Sequence, residues 1–109
     1  MVEVVNIRFC KDFGTIIGDV RIDRYTKWGN PFHLQYESIT ARDQVINQYI
    51  AWFIQQELDG KLDIRELLSA KRLGCWCKPK ACHGDYLKER IEELLQNNKR
   101  CFYDTRPII

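Results

Sequence analysis

The chain has 109 residues, 45% hydrophobic and 29% charged, and its 17 Lys and Arg against 15 Asp and Glu give a formal net charge of +2. These globular values suit one domain with a real core, leave no room for a second, and exclude a disordered chain. So small a charge does not predict nucleic-acid binding in bulk, and any such binding has to come from a local patch.

No apolar run reaches the roughly 18 residues of a membrane span. The start, Met1-Val2-Glu3-Val4-Val5-Asn6, lacks the basic region and apolar stretch of a secretory signal. The expectation is a cytoplasmic protein (host cytoplasm for a viral chain) without a membrane partner. The five cysteines are Cys10, Cys75, Cys77, Cys82 and Cys101. Their odd number and their crowding between 75 and 82 favour reduced thiols over a disulfide framework.

In chain order, the β-branched run 2–9 predicts a strand, and Lys11-Asp12-Phe13-Gly14 a turn. Thr15 to Ile22 is strand-like again; Gly18 and Asp19 interrupt it and predict two short strands or a bulge. Residues 24–37, broken by Gly29, Asn30 and Pro31, form a loop long enough to carry function. Thr40 and Asp43 read as a capping-box variant. They open a helix whose stripe of Val45, Ile46, Tyr49, Ile50, Trp52, Phe53 and Ile54 runs to Asp59-Gly60. Asp63 caps a short helix through Leu67 and Leu68. Residues 73–77 read as a buried strand ended by Pro79. A third helix runs from His83–Asp85 to about Gln96 with Leu87, Ile91, Leu94 and Leu95 on one face, and Cys101 to Tyr103 read as an edge strand or packed tail. The sum is an α/β chain, a single compact domain with a small mixed sheet of about four to five strands and three helices.

The sharpest local signal is Cys75-Trp76-Cys77-Lys78-Pro79-Lys80-Ala81-Cys82-His83-Gly84-Asp85. An extended 73–77 turns Cys75 and Cys77 to one face and Trp76 to the other. Cys82 and His83 then sit at the first turn of a helix, where free N–H groups and the dipole attract an anion and lower a thiol pKa. Lys78 and Lys80 strengthen that field. Three readings stand open. Cys82, His83 and Asp85 are reactive groups of a pocket; or Cys75, Cys77, Cys82 and His83 bind zinc, with suitable ligand types but unusual spacing; or the thiols are small buried hydrophobes.

Arg21, Arg24, Tyr25, Lys27, Trp28, Gly29, Asn30 and His33 form a second cluster. Cations interleaved with aromatics suit phosphate and a stacked base. Arg24, Lys27, Trp28, Gly29 and Asn30, with Lys78, are the expected ligand-binding residues, against the plain reading that Trp28 and Phe32 pin the loop to the core. The run Glu89, Arg90, Glu92 and Glu93 reads as a solvated helix face. The loop 24–33 is expected to fold over the Cys77–Asp85 turn and enclose one polar pocket.

Arg24-x-x-Lys27-Trp28-Gly29-Asn30-Pro31-Phe32, then Tyr49-x-x-Trp52, then Gly74-Cys75-Trp76-Cys77-x-Pro79-x-x-Cys82-His83-Gly84-Asp85-x-Leu87 resembles the family termed domain of unknown function 4326, found in phages, prophages and bacteria. The likeness spans about residues 2–95 and implies that the functional positions lie in these motifs, without assigning roles. The turn at 11–18 and the tail after Gln96 depart from the family pattern. The second motif is also similar to a segment of another uncharacterised family, which implies a Rossmann-like arrangement with a site at the strand–helix junction. The expected function is binding of a phosphate-bearing, nucleotide-like small molecule, with transfer or hydrolysis at a nucleoside as the chemistry. The alternative is a non-enzymatic viral accessory module that binds nucleic acid or a host protein and uses the Cys/His cluster as a packed or zinc-bound staple.

Overall fold

The computed structural model describes residues 2–34, 36–78 and 80–104, with side chains described through residue 96. Its elements are β1 (Glu3–Asn6), β2 (Asp19–Arg21), α1 (Ile39–Leu58), a 3-10 turn (Ile64–Leu67), β3 (Arg72–Cys75) and α2 (His83–Asp104). The sheet order is β1-β3-β2, and both outer strands run parallel to β3, with Val4 and Val20 each opposite Leu73. Among the described residues this corrects the expected mixed sheet of about four to five strands to three parallel strands, and the three helices to two and a 3-10 turn.

The reasons are local. Parallel neighbours require crossovers of about a dozen residues or more, and residues 7–18 and α1 serve as those crossovers. Thr15 to Ile17 do not form a strand despite their β-branched side chains. Asp19 Oδ2 accepts from Gly14 N at 2.7 Å and Ile16 N at 3.1 Å, which folds the segment into a turn with Gly14 at φ 96°. Arg72 holds this crossover down, donating from Nε to Asp19 at 2.7 Å and from Nη1 to Asp12 at 3.0 Å. Ile7 and Phe13 lie on β3 so closely that a Cβ on Gly74 would sit 2.5 Å from the Phe13 ring.

The cap of α1 is Ser38, whose Oγ accepts from Ala41 N at 3.0 Å, and not the expected Thr40. Asp63 caps the 3-10 turn as expected, accepting from Arg65 N. Cys101 to Tyr103, expected as an edge strand or tail, lie within α2.

Tyr49 and Phe53 of α1, Ile22, Leu67, Leu73, and Leu87 and Ile91 of α2 are fully buried in one core. Removing a ring such as Phe53 costs about 3–5 kcal/mol in sites of this kind. Arg90, expected in solvent, bridges the helices by donating to Glu57 at 2.8 Å and to Tyr86 Oη at 2.9 Å.

Candidate functional site

Because the strands are parallel, β2 and β3 end on the same edge, where open parallel sheets receive ligands. Asp23 lies just beyond β2, Trp76 and Cys77 just beyond β3, and His83 opens α2. A cleft of about 410 Å³ lies here. One wall is Asp23, Arg24, Tyr25, Asn30, Phe32 and Leu34; the facing wall is Cys75, Trp76, Cys77, Ala81, Cys82 and His83; Arg42, Val45 and Ile46 of α1 complete it. The 24–33 loop and the cysteine turn therefore line one cavity. Its walls are largely apolar, against the polar pocket expected, because the α1 stripe continues into it through Val45 and Ile46.

Packing explains the convergence. Tyr49 Oη donates to Trp28 O at 2.8 Å in the core, and the Trp28 ring stacks on Phe53 at 6.1 Å. Asn30 Nδ2 donates to Val45 O at 3.2 Å while its Oδ1 accepts from Phe32 N at 2.8 Å. A Cβ on Gly29 would lie 2.5 Å from Asp23 O, so the turn closes only with glycine there. On the other wall a Cβ on Gly84 would meet Ile22 and Val4 within 2.9 Å, which fixes how closely α2 approaches the sheet.

The expected ligand-binding residues separate accordingly. Arg24 and Asn30 line the cleft. Trp28 and Gly29 are buried and build the loop. Lys27 pairs with Glu66 at 2.7 Å and lies over the Trp28 ring at 5.1 Å, a carboxylate partner from the 3-10 turn that adjacency in sequence does not reveal. Lys78 is paired with Asp85. Asp85, expected to be catalytic, is not among the lining residues; its Oδ2 accepts from Cys82 N at 3.2 Å and caps α2.

Asp23 is the residue the sequence reading missed. It is only 3% exposed, and its Oδ2 accepts from Arg21 and from Trp76 Nε1 at 2.9 Å. Burial pushes its pKa up, but those two donors outweigh burial and hold the carboxyl below its usual value. Its Oδ1 is sealed from solvent without a hydrogen-bond partner among the described residues. The available signal was an acidic residue at the carboxyl end of a predicted strand. Arg42 was missed too: it forks onto Glu37 and donates to Ala81 O at 3.1 Å.

His83 is buried, and burial lowers its pKa against the raising effect of the bond to Ile22 O. That bond spans 2.6 Å from Nε2. A carbonyl only accepts, so Nε2 carries the proton and the neutral ring keeps Nδ1 as an acceptor.

Two of the three thiols of the motif are in contact. Cys75 Sγ and Cys82 Sγ are 3.5 Å apart and buried. Cys77 is half-buried in the cleft wall, and its neighbours Cys75, Cys82 and Arg42 draw its pKa below the ordinary thiol value. The neighbouring thiols, Cys75 first, together with burial push the Cys82 pKa up. Among the described residues no group of three or more His, Cys, Asp or Glu side chains has a metal-holding arrangement, and His83 Nε2 is engaged with the backbone. Among the described residues no helix is long and apolar enough to cross a membrane.

No solved structure gives a significant match. An uncharacterized 12.4 kDa protein in the nrdA-td intergenic region of Enterobacteria phage T4 is 34% identical over 98 residues, spanning 88% of this chain and 82% of that protein. The family model described as Domain of unknown function (DUF4326) matches residues 5–93, which include both walls of the cleft. On that match and the phage relative, the chain is a phage-type member of the DUF4326 family.

Proposed function

We propose that the protein binds a phosphate-bearing, nucleotide-like small molecule in this cleft. The observation that carries the reading is the cleft itself: a cavity of about 410 Å³ whose wall holds the Arg24 guanidinium and the buried Asp23 carboxylate. Small-molecule sites have this size and this mixture of apolar wall and few polar groups. Phe32, Leu34, Val45 and Ile46 supply apolar surface for a flat ring. The Arg24 guanidinium and the N-terminal turn of α2 suit a phosphate. Cys77, Cys82 and His83 bring thiols and an imidazole to the same walls, the groups that transfer or hydrolysis at a nucleoside would use.

The test is calorimetric titration of the reduced chain with a panel of nucleoside monophosphates and the corresponding nucleosides. The expected result is binding of a monophosphate about tenfold tighter than its nucleoside, with Arg24→Ala erasing that gap and Asp23→Asn weakening both. Millimolar nucleotides that produce no heat, or binding indifferent to both substitutions, would overturn the reading.

A second reading rests on Tyr25 and Trp76, which line the cleft yet are 89% and 51% exposed. Exposed rings beside an arginine suit stacking along a single-stranded nucleic acid, as in a non-enzymatic accessory module. Oligonucleotide binding that weakens steeply with salt would favour it over a small-molecule pocket.

A further inference from the structure

We propose that Cys75 and Cys82 are a redox-active dithiol that small hydroperoxides entering the cleft convert to a Cys75–Cys82 disulfide, a reversible clasp between the end of β3 and the start of α2. The inference goes beyond ligand binding and does not rest on it, since the reaction needs no nucleotide.

The contact between the two sulfurs carries it. Cys75 Sγ and Cys82 Sγ lie 3.5 Å apart, and both thiols are free. A disulfide needs about 2.05 Å, so about 1.5 Å of sulfur movement closes it, a scale that small changes in the side-chain torsions supply. Both backbones are anchored, so the approach is a property of the fold. Cys75 pairs with Asn6 in the β1–β3 ladder, and its carbonyl accepts from Ile7 N at 2.8 Å. Cys82 N donates to Asp85 Oδ2 at 3.2 Å, and Cys82 O accepts from Asp85 N at 3.1 Å, which fixes the entry into α2. Gly84 lets that entry press on the sheet, because a Cβ there would lie 2.8 Å from Ile22 and 3.3 Å from Cys82 Sγ. The two residues are only 1% and 3% exposed, yet both line the cleft. An oxidant of a few atoms therefore reaches them from that side, and a protein oxidant does not. Cys77 lines the same wall, but a bridge from it to Cys75 would span one intervening residue and strain the backbone. Closing residues 75–82 into a ring stiffens the wall that carries Trp76, Cys77 and Ala81, next to His83.

With hydrogen peroxide the steps balance. The first thiol gives up its proton, and its sulfur attacks one peroxide oxygen. The S–O bond forms, the O–O bond breaks, and the departing hydroxide takes up that proton as water. The second sulfur then attacks the first. The S–S bond forms, the S–O bond breaks, and the leaving hydroxide takes the second thiol proton as another water. Two electrons pass from the sulfur pair to the peroxide. A dithiol reductant reverses the change by two thiol–disulfide exchanges.

The experiment treats the reduced full chain with hydrogen peroxide and reads intact mass and tryptic peptides. The expected product is lighter by about 2 Da and links the peptide Leu73–Lys80 to the peptide Ala81–Lys88. Cys75 and Cys77 share the first peptide, so substitutions decide between them. Cys77→Ser should close the link within about twofold of the wild-type rate, and Cys75→Ser should slow it about tenfold or more. A link that survives Cys75→Ser and is lost in Cys77→Ser overturns the proposal. So does a disulfide between any other pair, or oxidation that ends in sulfinic acid with no disulfide. Should a variant fail to fold, fragmentation of the linked wild-type peptides locates the bridged sulfur at 75 or at 77. Dithiothreitol should restore the starting mass, and a bridge that resists it overturns the reversible clasp.

Discussion

Trp76 Nε1 donates to Asp23 Oδ2 at 2.9 Å, tying the residue after β3 to a residue just beyond β2 at the carboxyl edge of the sheet. Hydrogen bonds to a charged group contribute more than neutral ones, and this one supports a carboxylate that is 3% exposed. Trp76→Phe keeps the ring and removes the donor. It should lower stability by about 2 kcal/mol in urea denaturation at neutral pH. It should also raise the Asp23 pKa toward the value that burial alone would set. An unchanged denaturation midpoint would mean that Arg21 alone satisfies the carboxylate.

Tyr49 holds the loop from the other side. Its hydroxyl donates to Trp28 O at 2.8 Å in a fully buried setting, and burial pushes the phenol pKa far up, so it stays a donor at all ordinary pH. Tyr49→Phe leaves that carbonyl without a partner and should cost about 1–3 kcal/mol. Because Asn30 and the Trp28–Phe53 stack remain, the chain should still fold. Hydrogen exchange should then show faster opening of residues 24–33 than of β3, and equal rates would contradict the tether.

These two contacts mark what was legible in the sequence. The spacing of Tyr49 and Phe53 identified the buried face of α1, Asp63 followed from capping chemistry, and the start of α2 near His83–Asp85 followed from the Leu87, Ile91, Leu94 and Leu95 face. Both walls of the cleft could be named because motifs rich in donors do not suit a core. The sheet was less legible: Thr15 to Ile17 have strand propensity, but the Asp19 carboxylate captures their backbone, a competition that propensity does not weigh. Long-range partners escaped for the same reason. Glu66 lies 39 residues from Lys27, and Arg72 reaches Asp19 across 53. Asp23 went unrecognised because its significance is its burial, which tertiary packing alone decides.

His83 makes stability depend on pH. Burial lowers its folded pKa below the ordinary 6.5, with Asp23, Asp85 and Cys77 nearby as weaker opposing influences. The unfolded chain therefore binds a proton at higher pH than the folded one. The contribution is whole above about pH 6.5 and is lost as pH falls through the folded pKa. Denaturation midpoints measured between pH 7.5 and 5 should decline, and His83→Gln should flatten that decline. An equal slope in both proteins would show that other groups carry it. Asp12 and Asp19, both lowered chiefly by hydrogen bonds from Arg72, lose their contribution only at more acidic pH, below the carboxylate range of about 4.

Arg24 and Lys27 share a motif and a charge, yet their surroundings differ. Lys27 is engaged with Glu66 at 2.7 Å, with both side chains about half exposed. Exposed pairs of this kind contribute about 0–1 kcal/mol, so Lys27→Ala should barely move the denaturation midpoint. It should also leave titration with nucleoside monophosphates unchanged, because Lys27 is not among the residues lining the cleft. Arg24 does line it, and charge-assisted bonds from a guanidinium to phosphate are strong and directional. Arg24→Ala should therefore weaken monophosphate binding about tenfold, leave the corresponding nucleoside unaffected, and leave stability nearly unchanged. Arg24→Lys should recover only part of the loss, since an ammonium cannot form the paired bonds of the guanidinium fork. If Lys27→Ala weakens binding as much as Arg24→Ala, the phosphate lies over the Trp28 side of the loop and the cleft is not where the ligand is held.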